Sequence, residues 1–314
     1  MTKIKIPYKK QASTIIIIIA VAYVIVSSIN QNEENVIIED KLEEDKLEED
    51  KLNVQLKNTS ILPKLVFLKS IGSLGNGEKQ FDEPEGIDIF NDKLYVIERN
   101  NHRIQVFSEY GEFISTIPLQ VIDPIGIAVT ENKFFVTDIG DRKIKIFNHN
   151  GDLTGQFGVT WTADLEADEK FVYVIEALLG KIIIYDHNGN VMDELQTPEI
   201  HYLNSNDKKL ITSGPGSTQV PSDVLIFDKQ ERILLDKLPT SKDAHGAAIS
   251  DKYIFLIDDQ ITVKMYDIEK KLLFEYKPEI ISEDSFFVKI KINNDLVYIV
   301  NPQDDYIEIL QIVD

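Results

Sequence analysis

The sequence predicts an all-β fold of repeated four-stranded units closed into a ring, on three observations. Six segments align on a β-branched or aromatic run with a polar end, at Glu98, Asp138, Glu176, Ser213, Asp258 and Asn301, spaced 40, 38, 37, 45 and 43 residues apart. Each is followed by a second such run, from Arg103–Phe107 in the first unit to Tyr306–Leu310 in the last. The last unit ends too early to hold an outer strand, and an orphan strand, 65–72, precedes the first unit. A period near 40 residues with about four strands per unit belongs to β-propeller blades. The prediction is a six-bladed β-propeller of four-stranded blades, with strand 65–72 filling the gap in the sixth blade. Closure removes a sheet edge that an open array would expose.

Taken in order, residues 1–12 carry Lys3, Lys5, Lys9 and Lys10 and no acid. Residues 13–29 are uncharged and largely Ile, Val and Ala, at the lower limit of length for a spanning helix. With the lysines ahead of it, the positive-inside rule leaves 1–12 as a cytoplasmic tail and sends the remainder outside. The expectation is a single-pass signal anchor at 13–29; the alternative is a cleaved signal peptide and a secreted product. Residues 30–60 form an acidic, low-complexity spacer. Its leucines, Leu42, Leu47 and Leu52, recur every five residues, a spacing that walks around a helix and leaves no apolar stripe. A charged, partly helical spacer is expected, not a coiled coil. Residues 61–314 then make the propeller.

Within it, Tyr110-Gly111, Asn150-Gly151 and Asn188-Gly189 mark hairpins from the second aligned strand to an outer one. The glycine-rich stretch 72–77 follows a strand without opening a helix, so it reads as a turn and not a phosphate loop. With a formal net charge of −20, nucleic acid is not an expected partner. The absence of cysteine excludes disulfides, thiolate metal sites and cysteine catalysis.

The best-preserved unit joins Pro84-Glu-Gly-Ile-Asp-Ile89, Leu94-Tyr-Val-Ile-Glu98, Asn101-His-Arg-Ile-Gln-Val-Phe107 and Gly111. It resembles an NHL repeat. The second unit keeps Pro124-Ile-Gly-Ile-Ala-Val129 and Lys143-Ile-Lys-Ile-Phe147; the later ones keep mainly the strand pattern. NHL-type propellers include binding platforms and enzymes, so the resemblance alone does not fix function. It does imply that the innermost strands begin at the face where the second strands end. Around that mouth it places Glu98, Asp138, Glu176, Ser213, Asp258 and Asn301, and with them Glu85, Ile125, Ala163, Ile200, His245 and Val288.

Glu85, Glu98, Asp138, Glu176, Asp258, Asn301 and His245 are therefore the candidate ligand-binding residues. Converging carboxylates suit a hard cation; the competing role for each is to cap the turn that follows its strand. Lactonase-type propellers hold calcium with Glu, Asn and Asp, a set that Glu98, Asn301 and Asp258 imitate in composition. A zinc lyase is the weaker model: His245 lies at a strand entry, His201 falls one position off, and no third histidine matches where three protein ligands are needed. No catalytic residue is assigned, and Ca2+, with Glu98, Asp258 and Asn301 as its candidate ligands, is the one cofactor considered. The expected function is a membrane-tethered, extracytoplasmic binding module for a protein or small molecule at the channel mouth. The alternative is a metal-dependent propeller enzyme, a lactonase-like hydrolase or a lyase.

Overall fold

Both faces of most strands are apolar, which is the pattern of sheets packed between two neighbours. In the second strand of the first unit, Leu94 and Val96 point one way and Tyr95 and Ile97 the other, and all four are buried. A computed structural model shows the consequence. It describes residues 62–158, 162–197, 200–214, 223–240, 244–258, 260–278 and 288–313. The expected tail, anchor and spacer of 1–60 lie outside the described residues.

The described residues contain 24 strands in six four-stranded antiparallel sheets. Blade 1 holds β2 (Pro84–Phe90), β3 (Lys93–Glu98), β4 (Arg103–Ser108) and β5 (Phe113–Pro118). Blade 2 holds β6 (Pro124–Val129), β7 (Phe134–Asp138), β8 (Lys143–Phe147) and β9 (Leu153–Gly158). Blade 3 holds β10 (Thr162–Ala167), β11 (Phe171–Glu176), β12 (Lys181–Asp186) and β13 (Val191–Gln196). Blade 4 holds β14 (Tyr202–Ser205), β15 (Lys209–Ser213), β16 (Val224–Asp228) and β17 (Ile233–Leu238). Blade 5 holds β18 (Ala244–Ile249), β19 (Tyr253–Asp258), β20 (Val263–Asp267) and β21 (Leu272–Tyr276). Blade 6 runs β22 (Lys289–Asn293), β23 (Leu296–Asn301), β24 (Tyr306–Val313) and, as its outer strand, β1 (Lys64–Gly72).

The N-terminal strand therefore completes the last blade as expected. β1 pairs with β24 along its length, from Lys64 opposite Val313 to Gly72 opposite Tyr306. Each apolar core lies between two adjacent blades. The one between blades 6 and 1 joins Leu296, Tyr298 and Ile309 to Phe81, Leu94 and Phe107, so the ring is closed by packing as well as by pairing. The outer hairpins turn on glycines with positive φ at Gly111, Gly151 and Gly189, a conformation that costs glycine nothing sterically. The first strands of successive blades touch one another around the axis. Their starts and the β-turns after the second strands form one mouth, here called the entry mouth. The turns joining first to second strands form the other, the exit mouth.

Candidate functional site

At the entry mouth, the acids that end the second strands turn into their own blades. Glu98 has no exposed surface. Its two oxygens accept from Arg103 Nε at 2.6 Å, Gln105 Nε2 at 2.9 Å, Asn101 Nδ2 and the Asp82 backbone N–H at 3.3 Å. Asp138 pairs with Lys145 Nζ at 2.7 Å and accepts the backbone N–H groups of Ile122 at 2.8 Å and Asp123 at 2.9 Å. Burial works against its charge, but Lys145 and those two N–H groups outweigh it and hold the carboxyl below the ordinary range. Asp258 pairs with Lys264 Nζ at 2.9 Å and accepts the N–H groups of Gln260 at 3.0 Å and Thr262 at 2.9 Å. Asn301 accepts from the Gln303 N–H at 3.1 Å and donates to Asp304. Glu176 is buried at the end of β11.

Glu98, Asp258 and Asn301 thus sit on blades 1, 5 and 6, each engaged in the turn beside it. Among the described residues, no group of three or more His, Asp or Glu side chains is placed to hold a metal ion. His245 is half-buried at the start of β18. Glu85 lies closer to the axis. Burial pushes its carboxyl up, against the opposing pull of Lys289 and Arg99. Arg99 bridges Glu85 on blade 1 to Asp123 on the link into blade 2.

Halfway along the axis, the first strands bring together residues that the repeat pattern does not single out. Lys289 and Lys291, both from β22, reach across the channel. Lys289 Nζ donates to the Ile125 carbonyl at 3.0 Å and to Asp164 at 3.1 Å. Lys291 Nζ lies between Glu166 and Asp88, the latter at 3.2 Å. Asp88 also accepts the Val129 N–H at 2.7 Å, and Asp164 accepts the N–H groups of Leu203 at 3.1 Å and Leu165 at 3.0 Å. Asn204 Nδ2 donates to the Ile290 carbonyl at 2.9 Å, and Ser205 Oγ donates to Glu166 at 3.0 Å. The space left among Asp164, Glu166, Tyr202, Lys289 and Lys291 is about 10 Å³, room for at most one water. The axis is a polar plug and not a pore.

Beyond the plug, the exit mouth opens into a funnel of about 1320 Å³. Asp88, Glu166 and Lys291 form its floor, and the turns after β2, β6, β10, β14 and β22 rise around it. On the wall between blades 3 and 4, Lys229 Nζ sits 2.9 Å from Asp168 and 5.1 Å from the centre of the Tyr173 ring. Arg232 lies over Phe171 at 5.0 Å and pairs with Asp193 at 2.9 Å. Such contacts hold the cationic side chains against the wall. His149 and His187, each in an outer hairpin turn, are anchored by ring packing and hydrogen bonds. His149 packs on Phe134 with ring centres 4.5 Å apart, and His187 packs on Phe135 and bonds the Asp168 carbonyl at 2.8 Å.

The fold and its closed axis define the class: a six-bladed β-propeller with one wide funnel. Residues 81–107 match the family model for the NHL repeat, so blade 1 carries an NHL repeat, as the sequence reading had it. No curated protein matches the chain. Among solved structures, hydrazine synthase of Kuenenia stuttgartiensis is similar at a TM-score of 0.54, with 11% identity over 72% of this chain and 75% of that one. At that identity the likeness is one of fold alone.

Proposed function

We propose that the chain is a membrane-tethered propeller serving as a non-catalytic binding module, with the exit-mouth funnel as its ligand site. One observation carries this reading. The funnel is a concave space of about 1320 Å³ whose floor is closed by buried charges, the kind of recess in which polar ligands are oriented. Its floor and walls offer both signs of charge and aromatic surface, which suits a polar guest or the projecting segment of a protein. The entry-mouth candidates, Glu85, Glu98, Asp138, Glu176, Asp258, Asn301 and His245, enter this reading as the support of the opposite face. The anchor at 13–29 would hold the propeller outside the membrane, as the lysine bias ahead of it supports.

The test screens polar small molecules, among them sugars, amino acids and dipeptides, by thermal shift on the full chain in detergent. Asn132→Trp, at an exposed position on the funnel rim, serves as the blocking variant. A compound whose stabilisation disappears in this variant supports the funnel; stabilisation that survives it places binding elsewhere. Alkaline extraction and protease digestion of sealed membranes test the tether. A propeller released by alkali, or protected on the cytoplasmic side, would overturn it.

A further inference from the structure

We propose that the axial plug is a proton-binding site, with Glu166 exchanging the proton and the charge of the funnel floor changing as it does. The balance of charge points there. Asp88, Asp164 and Glu166 are all more than nine-tenths buried, and among the described residues the cations that pair with them are Lys289 and Lys291. Glu85 adds a fourth carboxylate at the entry side. Three carboxylates against two ammonium groups, with Glu85 carrying its own counter-charge from Arg99, leave surplus negative charge in a medium that solvates it poorly. A proton is the smallest group that relieves it.

Geometry selects the carboxylate. Asp88 and Asp164 each accept at least one backbone N–H, from Val129 and from Leu203 and Leu165, and such bonds favour the charged form. The hydrogen bonds of Glu166 come from Lys291 and from the Ser205 hydroxyl. A hydroxyl accepts as readily as it donates, so Ser205 suits a protonated Glu166 equally well. The groups facing Glu166 are Lys289 and Lys291 from β22, Asp88 from β2, Asp164 on its own strand, Tyr202 and Ser205 from β14 and Tyr173 from β11. The neighbouring β6 presents backbone groups. Burial, with Asp88 and Asp164 acting against Lys291, pushes the Glu166 carboxyl up to about 7.

The sign follows. A carboxyl raised in the folded state stabilises the fold fully below its unfolded value, and that contribution is lost as pH rises through the folded one. The proton site stands whether or not the funnel holds a guest; only the further expectation, that a negatively charged guest binds better at lower pH, rests on the reading above.

The test measures unfolding of the full chain from about pH 5 to about pH 8. The wild-type unfolding constant is expected to grow about a hundredfold across that range relative to Glu166→Gln. Asp88→Asn removes a neighbouring negative charge and should move the midpoint to lower pH. Parallel pH profiles for wild type and Glu166→Gln would overturn the proposal, as would an Asp88→Asn midpoint that stays in place. Should neither variant fold, infrared spectra of wild type labelled with 13C-glutamate decide. A buried protonated carboxyl band that is lost as pH rises through neutrality supports the site, and its absence throughout refutes it.

Discussion

Replacing Glu98 by Gln asks whether the entry-mouth acids hold the blade or await a ligand. The substitution is isosteric, so it opens no cavity. It does remove a charge that two Arg103 nitrogens approach, Nε at 2.6 Å and Nη2 at 3.3 Å, with Gln105 and Asn101 donating alongside. An amide offers one accepting oxygen where the carboxylate offers two. Either orientation of the new side chain points its NH2 group at donors. Arg103, whose side chain is 13% exposed, is left with its charge uncompensated. Breaking one partner of a buried pair costs about 3–5 kcal/mol. In a domain of this size each kcal/mol lowers the melting temperature by about 2–4 °C, so Glu98→Gln should melt roughly 6–20 °C below wild type. Thermal and urea unfolding of the full chain measure it, with and without calcium. A loss under about 1 kcal/mol would show that the acid is not structurally engaged. A stabilisation by calcium in wild type that disappears in Glu98→Gln would make Glu98 a ligand and refute the capping role.

Two further predictions follow from the same structure. Gly72 has a φ of +121°, and a Cβ there would lie 2.5 Å from the Asp305 carbonyl oxygen and 2.7 Å from the Phe81 ring. Gly72→Ala should cost about 2–4 kcal/mol in urea unfolding and speed hydrogen exchange along β1. Gly155→Ala, whose Cβ would meet nothing closer than 3.4 Å, is the control, and equal costs would refute the close approach. Asp138→Asn should cost about 2 kcal/mol near neutral pH. Because the folded carboxyl is held low, its contribution is present above the unfolded value and lost as pH falls through the folded one. The gap between wild type and variant should therefore narrow in acid, and a gap constant down to about pH 3 would count against the Lys145 pairing.

The fold was legible because the signals that make it are local and repeated. Glu98 and Arg103 are five residues apart in one hairpin, and the unit containing them recurs with a period that counts the blades. The missing outer strand of blade 6 and the spare strand before blade 1 gave the closure. The axial plug carries no such signal. Lys291 and Glu166 are 125 residues apart and meet only after the ring has closed. What the sequence does hold is alternation: Asp164-Leu-Glu166 and Lys289-Ile-Lys291 put charge at every second position of a first strand. On a surface sheet that pattern marks a solvated face. On the innermost strand of a ring it marks the axis, and only knowledge of the strand's rank distinguishes the two. The funnel was hidden for a related reason, since its volume depends on how far the exit turns splay and not on any residue in them.

Closure and the charge on the axis are consequently linked. Both lysines that reach into the plug come from β22, in the one blade that the chain completes with a distant segment. If blade 6 does not dock, Asp88, Asp164 and Glu166 lose Lys289 and Lys291 together, and three carboxylates face each other without counter-charge. Repulsion among them would then oppose assembly of blades 1 and 3 around the axis. Docking of β1 therefore does more than cover an edge, because it completes the sheet, through β24 and β23, whose innermost strand β22 neutralises the centre. The same surplus explains why a proton on Glu166 favours the closed ring, and why any weakening of β1 should be felt more strongly above neutral pH than below it.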